Sequence, residues 1–523
     1  MFNELRIKLD NKKDTVYLKG YNRLKIKLFY LPGAWSAWWR DLYPLSMPPY
    51  GMGVITSVLR KAGYYVEQED LLVKVKFREG SWKVNPAILT IRKYVQRCLN
   101  KGCSDKTLDK LADEILRGVR LSFDIIGFSI LSYPQFLFAL LLAEKIKKIS
   151  NATIVFGGAF ITLQGNMFFS RYRFIDFMIR GDGQIPFLNL LEYIEGKRRI
   201  EEVPSLTFRE NGQMRENPRG VYSVEDMPLP DFEGLPLDLY RDDRLNKGKL
   251  ILPYQISRGC PHQCSFCAKD AFGKVEIKSL EKISKELKEY SKIYNSNYFW
   301  FCDWTFNVSY KHAEQLCDML VKDKVNIRWK AWARVDNLDD KLLIRMKKAG
   351  CISLLFGIES GSDKILRLMR KGFGSKRAAA ILRDAHTTGI SVYIMLMVGF
   401  IYENDSDIKA TIEFLKENAS YIDGIISINI FLLEANSPIY RCPNDFRIAN
   451  IRLMDDGRHR NYYAFDEVDG LTWQQKARRQ KRAYLRVLKA VYYHIFLKFY
   501  KKRHLPFWVW FIKRKYEVKG KVV

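Results

Sequence analysis

The most definite chemistry in this sequence belongs to three cysteines that fall within eight residues. The passage Ser257-Arg258-Gly259-Cys260-Pro261-His262-Gln263-Cys264-Ser265-Phe266-Cys267 sets thiols at C-x3-C-x2-C spacing. Thiols so close in the chain converge only if the loop wraps around a shared centre. Thiolates are soft ligands and suit zinc or iron–sulfur chemistry. A zinc site would need a fourth ligand, for which His262 lies inside the loop, but such sites more often use two separated ligand pairs. A four-iron cluster ordinarily takes four cysteines, so three would leave one iron open to a small molecule. Cys98, Cys103, Cys302, Cys317, Cys351 and Cys442 are scattered and read as ordinary thiols. Nine cysteines with only one tight group fit metal binding in a reducing compartment better than a disulfide framework.

The elements that must position this loop form two βα series. In the first, Leu24–Leu31, Tyr64–Leu71, Phe123–Leu131, Thr153–Phe156 and Ile175–Ile179 are strand candidates. Helices are expected from Gly51 to Ala62 and from Gln135 to Ile149, with a charged, less regular insertion within 72–120. Short apolar strands between helices, with glycine at their ends, indicate a doubly wound parallel sheet. A small hairpin is expected around Glu210-Asn211-Gly212, and a proline-rich linker from Met227 to Leu239. The second series has six strand candidates: Tyr254–Ser257, Tyr298–Cys302, Ile327–Ala333, Ser353–Phe356, Ser391–Met397 and Gly424–Phe431. Six strands alternating with helices suit a partial (β/α)6 barrel, with its chemistry at the C-terminal ends of the strands. The expected fold is therefore α/β: a Rossmann-like domain over 1–210, a linker over 211–245, a barrel over 246–440 and a basic helical region over 441–523.

The cysteine spacing, with Phe266 before the last thiol, resembles the signature of the radical S-adenosylmethionine (SAM) superfamily. Gly357-Ile358-Glu359-Ser360-Gly361-Ser362, after the fourth barrel strand, is similar to that family's SAM-contacting segment, and Met397-Val398-Gly399-Phe400 with Glu403 to its fifth-strand motif. The resemblance implies that Cys260, Cys264 and Cys267 hold a 4Fe-4S cluster. It implies SAM contacts from Phe266, Asp303, Arg334, Gly357, Glu359, Ser360 and Gly399. Asp303 and Arg334 end the second and third strands, where an ordinary polar strand end is the alternative reading, and Phe266 could equally be loop packing. The implied chemistry is reductive cleavage of SAM to a 5′-deoxyadenosyl radical that removes hydrogen from an unactivated carbon. No catalytic acid or base can be singled out.

The order of features before residue 200 resembles the cobalamin-binding domains joined to such barrels. The matching pieces are Pro48-Pro49-Tyr50-Gly51, Ser129-Ile130-Leu131, Gly157-Gly158 and Gly181-Asp182-Gly183-Gln184. On that resemblance Ser129, Leu131, Gly157, Gly158, Gly181 and Gly183 are expected to line a cobalamin site at the strand ends. Many such domains place a histidine under cobalt from a D-x-H-x-x-G loop, yet this chain has no histidine before His262. Its first-strand loop carries Trp35, Trp38, Trp39 and Arg40 instead, and Trp35 and Trp38 are expected either to cover cobalt's lower face or simply to pack. An empty Rossmann-like module is the alternative for the whole domain, and no G-x-G-x-x-G follows the first strand.

The formal charge is +29, and about half of the excess lies after residue 440. There Leu485, Leu488, Tyr492, Ile495 and Phe499 are expected to share a helical face, ahead of an aromatic run from Leu505 to Ile512. A basic amphipathic helix of this kind rests on an anionic membrane surface or closes the barrel. Nucleic acid is not expected as a partner. With no apolar leader in Met1–Asp14 and no run long enough to span a bilayer, a cytoplasmic protein is expected. The family resemblance implies a cobalamin-dependent C-methyltransferase acting on a small-molecule or peptide substrate, with an electron donor such as flavodoxin or ferredoxin. A cyclase or rearrangement catalyst with the same cofactors remains open, as does a cobalamin- or SAM-binding sensor without turnover.

Overall fold

The computed structural model describes residues 23–32, 47–77, 106–241, 248–268, 274–454 and 462–496. Trp35, Trp38, Trp39, Arg40, Phe499 and the run 505–512 lie outside these residues.

The first sheet is built from β1 (Lys25–Tyr30), β2 (Tyr65–Asp70), β3 (Ile125–Ser129), β4 (Thr153–Gly157), β5 (Phe177–Ile179), β6 (Leu206–Glu210) and β7 (Gln213–Glu216). Its order is β2-β1-β3-β4-β5-β6-β7, with β1 to β5 parallel and the β6–β7 hairpin added antiparallel. Strand β3, Ile-Ile-Gly-Phe-Ser, is buried along nearly its whole length because helices cover both faces of the sheet. The helix Tyr133–Ile149 is apolar on almost every side and fills one of the two layers. The segment expected to be a linker from 211 onward thus begins as strand β7. Its proline-rich part packs down as well: Phe232 is buried, Asp231 N donates to Gly53 O at 2.9 Å, and a Cβ on Gly53 would fall 2.3 Å from the Phe232 ring.

The second sheet is the expected six-stranded parallel barrel segment, and here the first strand is displaced. It runs over β8 (Ile251–Tyr254), not Tyr254–Ser257. Ser257–Arg258 instead forms β9, a short ribbon with β10 (Glu276–Ile277). Then follow β11 (Tyr298–Phe301), β12 (Arg328–Ala333), β13 (Cys351–Glu359), β14 (Ser391–Val398) and β15 (Gly424–Ile430), in the order β15-β14-β13-β12-β11-β8. Outward-facing Phe301 and Trp329 stack with Phe306 at ring separations of 4.6 to 6.0 Å, fastening the helical layer to the strands. The connecting helices start where the sequence supplies oxygen caps at Ser279, Ser309, Asp339 and Asn404.

The C-terminal region contains the expected helix, Trp473–Val491, but also a three-stranded antiparallel sheet that the sequence reading lacks. Its strands are β16 (Leu433–Glu434), β17 (Ile448–Leu453) and β18 (Tyr462–Glu467), in the order β16-β18-β17. The buried side of the helix is shifted from the expected face, of which Leu488 packs against the core and Ile495 is buried. It carries Lys476, Gln480, Ala483, Val487, Ala490 and Val491, whereas Leu485 is 38% exposed. Gln480 Nε2 donates to Gly399 O at 2.9 Å and Phe431 O at 3.0 Å, so the helix closes over the ends of β14 and β15. Long polar side chains satisfied by backbone carbonyls can be buried as fully as leucines. No helix among the described residues is long and apolar enough to cross a membrane.

Candidate functional site

The cysteine loop leaves the sheet immediately after β8 and β9, at the C-terminal end of the barrel. Cys260, Cys264 and Cys267 are half-buried there and form no disulfide among the described residues. The loop is held from three directions. Ser265 N donates to Met369 O at 3.0 Å, Ser265 Oγ to Leu368 O at 2.8 Å, and Ile439 N to Ser265 O at 3.1 Å. At its root, Asp303 Oδ1 accepts from Ile256 N at 3.1 Å, from Ser257 Oγ at 2.8 Å and from Ser257 N. Asp303 Oδ2 is buried without a hydrogen-bond partner among the described residues, and burial pushes this carboxyl up to about 6.

Arg334, at the end of β12, reaches the loop itself. Its Nη1 donates to Cys264 Sγ at 3.1 Å, while Nε and Nη2 clamp Asp336 at 2.8 and 2.9 Å and Nη2 also meets Lys371 O. Burial works against its charge, yet Asp336 and Cys264 hold the guanidinium above its ordinary value. Asp336 lies 3.3 Å from His262 Nδ1, so the histidine inside the loop faces a carboxylate. Among the described residues no three His, Cys, Asp or Glu side chains are gathered closely enough to share one metal ion. A donor set of three thiols on one loop, with a guanidinium beside one sulfur, fits an iron–sulfur cluster with one iron lacking a protein ligand.

The expected SAM contacts are brought to this same end of the barrel and divide into two kinds. Glu359, at the end of β13 with φ +68°, is buried 3.7 Å from Lys371 Nζ, and burial raises its carboxyl. Gly357 precedes it on the inner wall, where a Cβ would meet Glu359 Oε1 at 2.9 Å. Phe266 packs edge-on against Phe400 with Lys371 Nζ 5.8 Å from its ring. Glu403 takes the amide of Gly399 on Oε2, leaves Oε1 buried without a partner among the described residues, and is pushed by burial up to about 7. Two buried carboxylate oxygens without partners, on Asp303 and Glu403, are what a site for a ligand bearing ammonium and hydroxyl donors requires. Ser360 and Gly399 are instead tied up by the fold. Ser360 Oγ lies 3.1 Å from Thr411 Oγ1, and a Cβ on Gly399 would fall 2.0 Å from Gln480. Sequence reasoning missed Lys371 and Asp336, whose only signals are a Lys-Gly-Phe-Gly turn and an acid two residues beyond Arg334.

Beside this mouth lies a cleft at the C-terminal ends of the first sheet, where the order β2-β1-β3 reverses direction and an open α/β sheet takes its ligand. The cleft encloses about 1070 Å³, its open mouth included, and is lined by Tyr50, Gly51, Ser129, Leu131, Gly157, Gly158, Gly181 and Gly183 among others. All six described residues expected at a cobalamin site therefore line one cavity. Thr162 and Asp182 join them, and Leu131 projects at the rim, 52% exposed. A Cβ on Gly51 would meet nothing within 4 Å, so the space above this helix start is open to a large ligand. Gln255, five residues before Cys260, lines the same cleft, and Arg258 bridges to Asp182 at 2.9 Å. The cleft and the cysteine loop are thus adjoining parts of one surface.

Comparison with known proteins agrees with this geometry. Residues 254–415 match the Radical SAM superfamily. An uncharacterized methyltransferase of Pyrococcus horikoshii is 29% identical over 56% of this chain and 64% of its own length. The anaerobic magnesium-protoporphyrin IX monomethyl ester cyclase of Synechocystis is 24% identical over 47% of this chain and 50% of its own length. The chain thus spans about half to two thirds of these curated relatives. The radical S-adenosylmethionine methyltransferase TsrM from Kitasatospora setae, solved with cobalamin and a [4Fe-4S] cluster bound, superposes with a TM-score of 0.63 at 16% identity, covering 90% of both chains. The cysteine loop and the strand ends around it thus fall within the segment 254–415 that matches the Radical SAM superfamily, and the fold, a barrel joined to an N-terminal parallel sheet, is similar to that of TsrM.

Proposed function

We propose that this protein is a cobalamin-dependent radical SAM enzyme that transfers a methyl group to an unactivated carbon of a small-molecule or peptide substrate. The observation that carries this reading is the adjacency of the two sites: Gln255 lines the cleft of the first sheet and leads directly into the loop of Cys260. When bound, the cluster supplies an electron for cleavage of SAM, and cobalamin supplies the methyl group.

The chain's own part is to bind, orient and exclude water. Cys260, Cys264 and Cys267 hold the cluster, with Arg334 placing positive charge against Cys264. Asp303 fixes the root of the loop through Oδ1 and offers Oδ2 to SAM, as Glu403 offers Oε1. Glu359 and Lys371 face one another across the inner wall, and Phe266 gives the adenine a flat apolar contact. Ser129, Leu131, Gly157, Gly158, Gly181 and Gly183 form the bed for cobalamin. The helix Trp473–Val491 shields the ends of β14 and β15 with its buried side, which favours barrel closure over membrane contact as the role of this part of the C-terminal region. Electrons come from a small reductant protein of the flavodoxin or ferredoxin kind. The similarity to a cyclase supports a second reading, in which the same cofactors serve ring closure.

The test is anaerobic reconstitution of the full chain with iron, sulfide and cobalamin, followed by SAM and a strong reductant. Iron in a four-iron cluster and formation of 5′-deoxyadenosine are expected, with both lost in Cys264→Ala. A chain that retains zinc, takes up no iron and leaves SAM intact overturns the reading.

A further inference from the structure

The inner wall of the barrel carries a cation that neither the cysteine loop nor its surroundings engage. On β12, Trp329, Ala331 and Ala333 are buried against the outer helices at 0%, 0% and 3% exposure. Strand alternation then turns Lys330 and Trp332 inward. Strand β14 behaves alike: Val392, Ile394, Leu396 and Val398 are buried outward, while Tyr393, Met395 and Met397 on the inner side keep accessible surface. On these two strands the inner positions thus keep accessible surface, so the centre beside them is less completely filled by side chains than is usual in such barrels.

Lys330 stands on this inner side, half-buried. Its partners across the ladder are Trp300 on β11 and Ser353 on β13, and its Nζ lies 4.9 Å from the centre of the Trp300 ring. Trp300 and Trp332 meet edge to face at 5.7 Å. Ile251, Leu355, Ile426, Tyr393 and Met395 complete an apolar chamber around them. Among the described residues no carboxylate lies within ion-pair distance of Lys330, and desolvation alone pushes its amine down to about 7. A ring face returns to an ammonium only a small part of what it loses on leaving water. The missing compensation is an anion.

We propose that Lys330, Trp300 and Trp332 form a specificity-determining subsite that binds the oxyanion, carboxylate or phosphate, of an apolar, ring-bearing substrate inside the barrel. The proposal rests on the radical SAM reading of the barrel mouth and adds the class of substrate. Lys330 lies four residues before Arg334 on the same strand, about 13 Å at the usual rise. A molecule anchored at Lys330 therefore runs alongside the paired indoles toward the cysteine loop, presenting a carbon remote from its charge. The ammonium fixes one end, and the ring faces fix the plane.

The test uses calorimetric titration of the full-length reconstituted protein with 4-biphenylcarboxylate, phenyl phosphate and neutral 4-biphenylcarboxamide. At least one acid is expected to bind saturably and at least tenfold more tightly than the amide, and the tighter acid names the oxyanion. Lys330→Met should weaken that acid at least tenfold and leave the amide unchanged, while Lys330→Arg should hold the acid within about threefold. Equal binding of acid and amide by the unaltered protein, no acid binding at all, or full acid binding by Lys330→Met overturns the proposal. The comparison of acid with amide needs no variant to fold. Because binding is read without turnover, a protein that leaves SAM intact but selects the acid sinks the radical reading and spares the subsite.

Discussion

The cleft of the first sheet and the mouth of the barrel lie side by side, yet they are made of opposite materials. Glycine, aliphatic side chains and exposed backbone line the cleft, and its one acid, Asp182, is engaged by Arg258. Six ionisable side chains, Asp303, Arg334, Asp336, Glu359, Lys371 and Glu403, crowd the mouth beside the cysteine loop, and all but Asp336 are buried. A bed of small residues holds a large ligand by shape and main-chain contact, and its failure mode is filling. A buried charge set holds a small polar ligand by electrostatics, and its failure mode is loss of balance. The two sites should therefore respond to different kinds of substitution.

The largest effect is expected in the cleft, where close approach leaves no tolerance. Gly158 has φ +107°, a region almost closed to other residues, and a Cβ there would lie 2.4 Å from Ile130 O. The same backbone joins the ends of β3 and β4: Ile130 N donates to Gly157 O at 2.8 Å and Phe160 N to Ile130 O at 3.1 Å. Gly158→Ala should cost about 4 kcal/mol and displace the two loops that form the cleft floor, as read by denaturant unfolding. Retention of wild-type stability would mean that the loops part easily, and the contrast between a shape-built and a charge-built site would weaken.

Much of this was legible in the sequence for physical reasons. Strands such as Ile125–Ser129 are apolar on both faces, glycines mark their ends, and three thiols at short spacing have few other uses. What escaped is instructive. Trp329 to Ala333 alternates as any strand does, but alternation says which residues share a face and not which face is inside, so nothing in the sequence singles out Lys330. The strand Ile251–Tyr254 was displaced because Ile256 and Ser257 are as apolar or small as strand residues, and only the distant carboxylate of Asp303 pulls their amides out of the sheet. In the helix Trp473–Val491 the buried side is shifted from the expected apolar stripe, leaving Leu485 exposed, because Lys476 and Gln480 begin it. Lys476 is paired with Glu467 at 2.6 Å, with both side chains 3% exposed. Partners that lie far away in sequence decide such burial.

At the mouth, charge balance gives a pH signature that the cleft lacks. Glu403 is pushed from 4.5 to about 7 by burial. Between those values the folded protein holds a proton that the unfolded chain has released, so stability falls as pH rises through this window and stays lower above it. The contribution is about 3 kcal/mol. Glu403→Gln should remove it, so that variant and parent, unfolded in denaturant without added cofactors, differ more at pH 8 than at pH 5. An identical pH profile in both would show that the Glu403 carboxyl ionises normally in the fold.

The smallest effect on stability, and the sharpest separation of the two sites, is expected at Gly51. It lies in the first turn of the helix Tyr50–Lys61, and a Cβ there meets nothing within 4 Å. Glycine is a poor helix residue, so Gly51→Ala should gain about 0.5–1 kcal/mol. Gly51→Phe has the same backbone tolerance but projects a ring into the cleft, where Leu131 and Gly157 already form the facing walls. Its fold should change by less than about 1 kcal/mol, since the ring occupies ligand space and displaces no packed atom. Cobalamin retention after anaerobic gel filtration should nevertheless be lost, while iron uptake by the cysteine loop stays at the parent level. If Gly51→Phe still retains cobalamin, the cleft above this helix is not where the cofactor sits. If instead iron is lost with cobalamin, the two sites do not fill independently, and their contrast in composition does not amount to a contrast in behaviour.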